Sequence, residues 1–312
     1  MERKSWIVLG LIFGGLFLSL FAFLLVAVLA VRSGEDASSG FSGGGPAVGV
    51  IEIEGVIESA DKTLKQLRRF AKDDRIKAIL VRVDSPGGAV APSQEVYQEL
   101  RRLGEKKKTV CSMGNVAASG GYYISAGCQK IVASPGTLTG SIGVISQLPY
   151  VGAIARELKF QMVTIKSGKL KDVGNPFREM TDDERSFFQS MLDEIHEQFI
   201  AAVAQGRSLK VEEVRPWADG RVLTGAQAKE LKLVDELGNF NDAVKLAAAL
   251  GGIEGEPRLQ YPPEERPFHF YEELLRDGAR ALARGVRDEI AATAGAPPIA
   301  GPAYLAPLPF SP

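Results

Sequence analysis

The sequence predicts an α/β fold in which βαβ units build a mostly parallel sheet. Two observations carry that prediction. Short β-branched runs alternate with amphipathic stretches of helical period from Val48 onward, and several of those runs end in glycine-rich turns. A third observation concerns the ends of the chain. The 312 residues begin with a long uncharged run and finish in a proline-rich tail, so the fold is expected to occupy the middle.

Trp6 to Val31 is 26 residues without a charge. At about 1.5 Å per residue this is enough to cross a hydrocarbon core of roughly 30 Å. The run is too long for the core of a cleavable signal peptide, and Ala27-Val28-Leu29-Ala30 lacks the small-x-small spacing of a cleavage site. Residues 1–32 are therefore read as a signal anchor with one transmembrane helix. Arg3 and Lys4 before the run, against Arg32 after it, place the N-terminus in the cytoplasm and the rest of the chain outside it. Residues 33–46 are Gly/Ser-rich and form a tether. Residues 47–253 are the expected catalytic domain, and 254–312 a Pro-rich extension with a helix near 270–290.

Within the domain, Val48–Ile57 reads as a strand and Lys62–Ala71 as a helix with Leu64, Leu67 and Phe70 on one face. Lys77–Val83 is the next strand, closed by Asp84-Ser85-Pro86-Gly87-Gly88, and Pro92–Leu103 the next helix. Strands follow at Thr109–Met113 and Lys130–Ala133, a helix at Val151–Leu158 and a strand at Gln161–Lys166. Thr181-Asp182-Asp183-Glu184 is a capping box opening a long helix. Phe188, Met191, Leu192, Ile195, Phe199 and Val203 form its apolar stripe, suited to a core or an interface. Asp242–Leu250 is the last helix of the domain.

A hydrophobic content of 45% is ample for a large core, and a net charge of −1 with no single basic face argues against nucleic acid as a partner. Cys111 and Cys128 fit no metal-ligand spacing and are read as two buried free thiols, with a disulfide left open. No cofactor is implied.

The chemistry centres on Ser119 in Asn115-Val116-Ala117-Ala118-Ser119-Gly120-Gly121-Tyr122-Tyr123. A serine at a tight strand-to-helix turn exposes its hydroxyl, and the following amide can point at a developing oxyanion. A serine nucleophile needs a base. The two histidines are poor candidates: His196 lies beside the apolar stripe of the long helix, and His269 beyond the domain. Ser167-Gly168-Lys169-Leu170-Lys171-Asp172 offers lysines instead, and a buried lysine that sheds its proton can act as a base. The turns at Gly87-Gly88 and Gly120 could supply the two amides of an oxyanion hole, or could be ordinary turns. Neither has the spacing of a phosphate loop.

Five segments in order extend this reading: Arg82-Val83-Asp84-Ser85-Pro86-Gly87-Gly88, Ala117-Ala118-Ser119-Gly120-Gly121-Tyr122-Tyr123, Thr139-Gly140-Ser141-Ile142-Gly143-Val144, Ile165-Lys166-Ser167-Gly168 with Lys171-Asp172, and Asp219-Gly220-Arg221-Val222 with Gly225 and Ala228. Together they resemble the signal peptide peptidase A family in its short, single-repeat form, over roughly Val48 to Leu250. The resemblance implies a ClpP/crotonase-like fold and a serine–lysine dyad. Ser119 matches the nucleophile, Lys171 the general base, and Ser141 a serine that hydrogen-bonds that lysine. Gly87, Gly88 and Gly120 match the oxyanion hole. It implies a homo-oligomer whose sites lie between protomers, and remnant signal peptides or other unfolded apolar peptides as substrates. Asp172 beside the base is expected to point away from it, since a facing carboxylate would hold the lysine protonated. The alternative is a catalytically silent crotonase-like membrane scaffold. An acyl-CoA hydratase-like enzyme fits the glycine turns but not the anchor.

Overall fold

The computed structural model describes residues 45–263, and the contacts of the chain divide it after Tyr261. The anchor at 6–31, the helix near 270–290, His269 and the proline-rich end lie outside the described residues. Among the described residues, no helix is long and apolar enough to cross a membrane.

The first half of the domain alternates strand and helix as expected: β1 (Ala47–Ile57), α1 (Asp61–Lys72), β2 (Ile76–Gly88), α2 (Val90–Gly104), β3 (Lys108–Ala118) and α3 (Gly120–Ser125). Then come β4 (Lys130–Ala133), β5 (Leu138–Gly140), α4 (Gly152–Glu157) and the long α5 (Asp182–Arg207). The second half closes with α6 (Val211–Val214), a 3-10 turn at Arg215–Trp217, β6 (Val222–Thr224), α7 (Gly225–Glu230), β7 (Glu236–Leu237), α8 (Phe240–Leu250) and β8 (Arg258–Gln260).

The strands form one sheet in the order β6-β5-β3-β2-β1-β8, with β4 also pairing β3 and β7. Every pairing is parallel except β5 with β6. The long β3 holds two partners on the same side, β4 along Val110–Ser112 and β5 along Val116–Ala118. This is the mixed α/β architecture expected of a ClpP-like fold.

Strand alternation divides the core in two. Ile51, Ile53, Ile79, Val81, Val83, Cys111 and Met113 face α1, α2, α3 and the end of α5. Val48, Val50, Ala78, Leu80 and Val110 face the other way, against Ala243, Val244, Ala247 and Ala248 of α8.

Four details depart from the sequence reading. β2 and β3 run further than expected, through Ser85-Pro86-Gly87-Gly88 and Gly114–Ala118, because register shifts after Val83 and after Glu54 absorb the irregular residues. Gln161–Lys166 is not a strand: none of the described residues pairs with it, and Val163 and Ile165 are exposed. Only the C-terminal end of the α5 stripe enters the core, through Phe199 and Val203, while Met191 is exposed. Cys111 and Cys128 are joined as a disulfide rather than free, their Cα atoms 5.8 Å apart. β3 and the turn after α3 bring them together, a proximity that a separation of 17 residues does not reveal.

Candidate active site

Ser119 sits between β3 and α3, at the N-cap of a six-residue helix, with φ 52° and ψ −121°. A positive φ is costly for a residue with a Cβ and persists only where surrounding structure fixes it. Here the constraints are visible. The Ser119 N–H donates to the Gly140 carbonyl at 2.9 Å, and the Ser119 carbonyl accepts from the Tyr123 N–H at 2.8 Å. Behind it α3 is fully buried. The Tyr122 hydroxyl donates to the Leu233 carbonyl at 2.9 Å, and the Tyr123 ring packs on Phe199 at 4.6 Å and Tyr97 at 5.2 Å. Burial pushes both the Tyr122 and Tyr123 phenols up.

The glycines meet at this elbow. Gly87 has φ +106°, and a Cβ there would lie 2.8 Å from both the Gly120 nitrogen and the Ser119 Cβ. A Cβ on Gly120 would lie 2.6 Å from the Ser93 Oγ and 3.2 Å from the Gly88 nitrogen. Both positions require a bare backbone. The Gly87 N–H is already used, donating to the buried Ser85 Oγ at 3.1 Å. As the first residue of α3, Gly120 has an N–H with no carbonyl four residues back. Gly88 and Gly120 are thus the better-placed pair.

Upstream, the Asp84 carboxylate accepts the Val116 N–H at 3.0 Å, and Arg82 donates to the Ser112 Oγ and the Met113 carbonyl, each at 2.9 Å. These motif residues tie β2 to β3 just where the elbow begins. Sequence reasoning missed Asp84, Ser85 and Ser93 as supports of the site. Their only signal was their place inside or beside the glycine motif.

Ser119, Gly88, Gly120 and Ser93 open on a cavity of about 90 Å³. Val90, Tyr123, Val144, Ile145, Ile195 and Phe199 give it an apolar wall. A larger cavity of about 550 Å³ lies between residues 146–150, the stretch after Gly174 and the start of α5. It shares no lining residue with the first and holds no serine at positive φ. Among the described residues, no group of His, Cys, Asp and Glu gathers as a metal site.

Ser141 follows directly on Gly140, the acceptor of the Ser119 amide. It also has a positive φ, 47°, and its N–H donates to the Arg221 carbonyl at 2.8 Å. The glycines, Ser119 and the Ser141 backbone are thus brought together. Lys171 is not. It is exposed, on the loop between α4 and α5, and does not line the Ser119 cavity.

The neighbours of Lys171 are occupied. Lys166 pairs with Asp172 and donates to the Lys169 carbonyl at 3.0 Å, and Lys169 pairs with Asp183. The Lys171 ammonium has no ion-pair partner among the described residues. The Asp172 carboxylate is held by Lys166 and Arg178 instead. The Lys166 ammonium and the Arg178 guanidinium hold the Asp172 carboxyl below the usual range. Arg178 also pairs with the buried Glu184 and holds its carboxyl down at about 2. The Glu184 carboxylate closes the capping box with Thr181. His196 leaves its Nε2 buried without a hydrogen-bond partner and does not line the Ser119 cavity.

With this geometry in place, comparison with known proteins decides the family. A model described as Peptidase family S49 matches residues 101–254, and one described as Clp protease matches residues 50–137. A Synechocystis sp. protein named "Putative protease slr0021" is 45% identical over 205 residues, covering 65% of this chain and 74% of the relative. A protein of Enterococcus faecium named "Putative signal peptide peptidase SppA" is 32% identical over 282 residues, covering 78% and 80%. The chain belongs to peptidase family S49. It also matches Protease 4 of Salmonella typhi, 38% identical, but spans only 36% of that longer protein. The S49 match begins within α2 and so takes in Ser119, Ser141 and Lys171, while the Clp match covers β1 through β4 and supports the fold.

Proposed function

We propose that this S49 chain is a membrane-anchored serine endopeptidase that hydrolyses remnant signal peptides or other unfolded apolar peptides outside the cytoplasm. One observation carries the reading: Ser119 is held at positive φ on a strand-to-helix elbow, beside the Gly88 and Gly120 backbone, at the mouth of an apolar cavity. A serine so placed can attack a carbonyl, with the two amides facing the oxygen that becomes negative.

Lys171 is the proposed base, supplied by a neighbouring copy of the chain. Two observations support that assignment. Lys166 and Lys169 are each held by a carboxylate, which leaves Lys171 as the uncommitted ammonium of the segment. Its loop also displays Phe160, Met162, Val163 and Ile165 to solvent, an apolar surface that suits burial against a second copy. Burial there would help the lysine lose its proton. In the forward step Ser119 Oγ gives its proton to Lys171 and bonds to the carbonyl carbon. Lys171 then protonates the departing amine, and water, activated the same way, releases the acyl group. Ser141 would accept or donate a hydrogen bond at the lysine.

The apolar cavity wall favours small or aliphatic side chains next to the cleaved bond. The test is turnover of an apolar fluorogenic peptide by the parent chain, Ser119→Ala and Lys171→Ala, together with a peptide library. Near-parental turnover by either variant, or a preference for charged residues at the cleaved bond, would overturn the reading.

A further inference from the structure

Charge is distributed unevenly over this domain. Residues 61–108 carry thirteen Lys and Arg against seven Asp and Glu, a net of +6 in a chain whose total is −1. Acidic residues concentrate elsewhere, on α5 at Asp182, Asp183, Glu184, Asp193, Glu194 and Glu197.

α1 is the centre of the positive region. Leu64, Leu67 and Phe70 bury one face. Lys62, Lys65, Arg68, Arg69 and Lys72 are exposed on the rest, with Asp61 the sole acidic residue of the helix. Lys107 extends this surface. Its ammonium donates to the Phe70 carbonyl at 2.7 Å and the Asp73 carbonyl at 2.6 Å, capping the C-terminal end of α1. That bond fixes the turn carrying the exposed Lys106 and Lys108 against the same end. Asp73 pairs with Arg75 at 2.7 Å and Glu99 pairs with Arg102, while Asp74 and Glu105 lie exposed beside Lys72 and Lys106, where cations still outnumber acids.

The tether reaches the domain at this same end. The Ala47 N–H donates to the Arg75 carbonyl at 2.8 Å, three residues past Lys72. Fifteen residues, 32–46, separate the apolar run from Ala47. A Gly/Ser-rich chain of that length has a typical end-to-end distance of about 20 Å. On the anchor reading, a tether of that length would keep the cationic end close to the surface that holds the apolar run.

We propose that the cationic face of α1, with Lys106 and Lys108, docks on an anionic phospholipid surface and orients the domain on the membrane. This goes beyond the peptidase reading but rests on its membrane anchor. The chemistry is that of lysine and arginine against lipid phosphates. Each such cation near an anionic surface changes occupancy by about five-fold, so a cluster of this size outweighs free tumbling on the tether.

The experiment uses the full chain in lipid nanodiscs of pure phosphatidylcholine, or of phosphatidylcholine with about one-third phosphatidylglycerol. A fluorophore is placed by Glu95→Cys, in the cleft that α2 forms with Leu64, Arg68 and Arg69. A control fluorophore is placed by Glu212→Cys on α6. Both native cysteines are tied in the disulfide, so each introduced thiol is labelled alone. Quenching by a headgroup nitroxide reports proximity to the membrane.

At position 95, anionic discs should quench several-fold more strongly than neutral ones. The excess should vanish near 0.5 M salt, where the screening length falls to about 4 Å. The charge-reversed variant Arg68→Glu, Arg69→Glu, Lys72→Glu should lose the anionic excess at least ten-fold, on the order expected from three cations. Equal quenching in both discs, equal quenching at positions 95 and 212, or retention of the excess in the charge-reversed chain would overturn the proposal. The salt arm uses no charge-reversed variant and stands if that variant misfolds. A chain that stays with the discs but shows no lipid dependence overturns this inference alone. A chain that leaves every disc overturns the anchor as well.

Discussion

The two halves of the site are built in opposite ways. The elbow that carries Ser119 is wrapped on every side: β2 and β5 flank it, α3 is buried behind it, and a disulfide joins the strand before it to the turn after it. The segment that carries Lys171 has almost none of this. It is a long connection with one short helix, α4, and it leaves Ile145, Ile154, Leu158, Val163 and Ile165 facing solvent. Ion pairs among Lys166, Asp172, Arg178 and Glu184 shape it instead of a core. The contrast teaches where the single chain is sufficient. One copy folds the proposed nucleophile and the glycine amides beside it. It displays the proposed base, Lys171, beside an exposed apolar surface of the kind that a second copy would cover.

The largest effects should come from breaking either half outright. If Ser119 and Lys171 are nucleophile and base, they act as one unit, and Ser119→Ala and Lys171→Ala should each lower kcat by at least about 10³-fold. Circular dichroism and oligomer size should stay as in the parent. His196→Ala should keep most of the activity, since His196 does not line the cavity. Loss of turnover in that variant would restore a histidine base.

The second prediction asks whether the halves belong to one chain. In a head-to-tail assembly each site takes its serine from one copy and its lysine from the next. Random exchange of equal amounts of Ser119→Ala and Lys171→Ala chains would then rebuild about one site in four. Recovered turnover near that fraction supports a shared site. Turnover that stays at the level of the separate variants, after exchange has been demonstrated by mass, would place both residues in one copy.

Much of the first half was legible in the sequence. Ser119, Gly87, Gly88 and Gly120 stand in short motifs because a positive φ and close backbone approach tolerate few residue types, and such restrictions leave a mark in sequence. The same motifs hid something. Pro86-Gly87-Gly88 read as a turn closing its strand, yet it continues β2 through a register shift, since a bulge needs the same residues as a turn, and β3 likewise runs on past Met113. The disulfide was not legible because spacing along the chain says nothing of the distance across a fold. In the second half the apolar residues misled. Gln161–Lys166 has the composition of a strand, but a strand also needs a partner, and none among the described residues pairs it. The α5 stripe was read as suited to core or interface alike, and only its end, at Phe199 and Val203, enters the core.

A third prediction sharpens the contrast in stability. The disulfide closes a loop of 17 residues around Ser119. In the chain-entropy account such a loop contributes about 3 kcal/mol. Replacing both cysteines by alanine should lower the denaturant midpoint accordingly and raise hydrogen exchange in residues 110–128. Exchange in residues 159–181 should hardly change. An equal rise in both regions would show that the two halves unfold together and that the contrast drawn here is only one of exposure.

The smallest expected effect concerns acid, and it belongs to the Lys171 half. Arg178 holds Glu184 down at about 2, against a value near 4.3 for a free glutamate. Lys166 and Arg178 hold Asp172 low as well. A carboxylate whose pKa is depressed by folding stabilises the fold above its unfolded pKa, and that contribution is lost as pH falls through the folded one. The window therefore runs from about pH 4 down to about pH 2. Across it, residues 166–184 should loosen, and the N-terminal turn of α5 should fray as Glu184 leaves its capping box with Thr181. Because Arg178 is partly exposed, screening keeps the effect modest, so local exchange is a better readout than global unfolding. Hydrogen exchange corrected for its intrinsic pH dependence should show a step in peptides from 166–184 and none in those from 110–125. Arg178→Gln should remove that step, leaving the segment loose already at pH 5. A step of the same size in the Arg178→Gln chain would mean that the ion pairs seen around Arg178 do not hold the loop, and that its order comes from the surface it presents to a second copy.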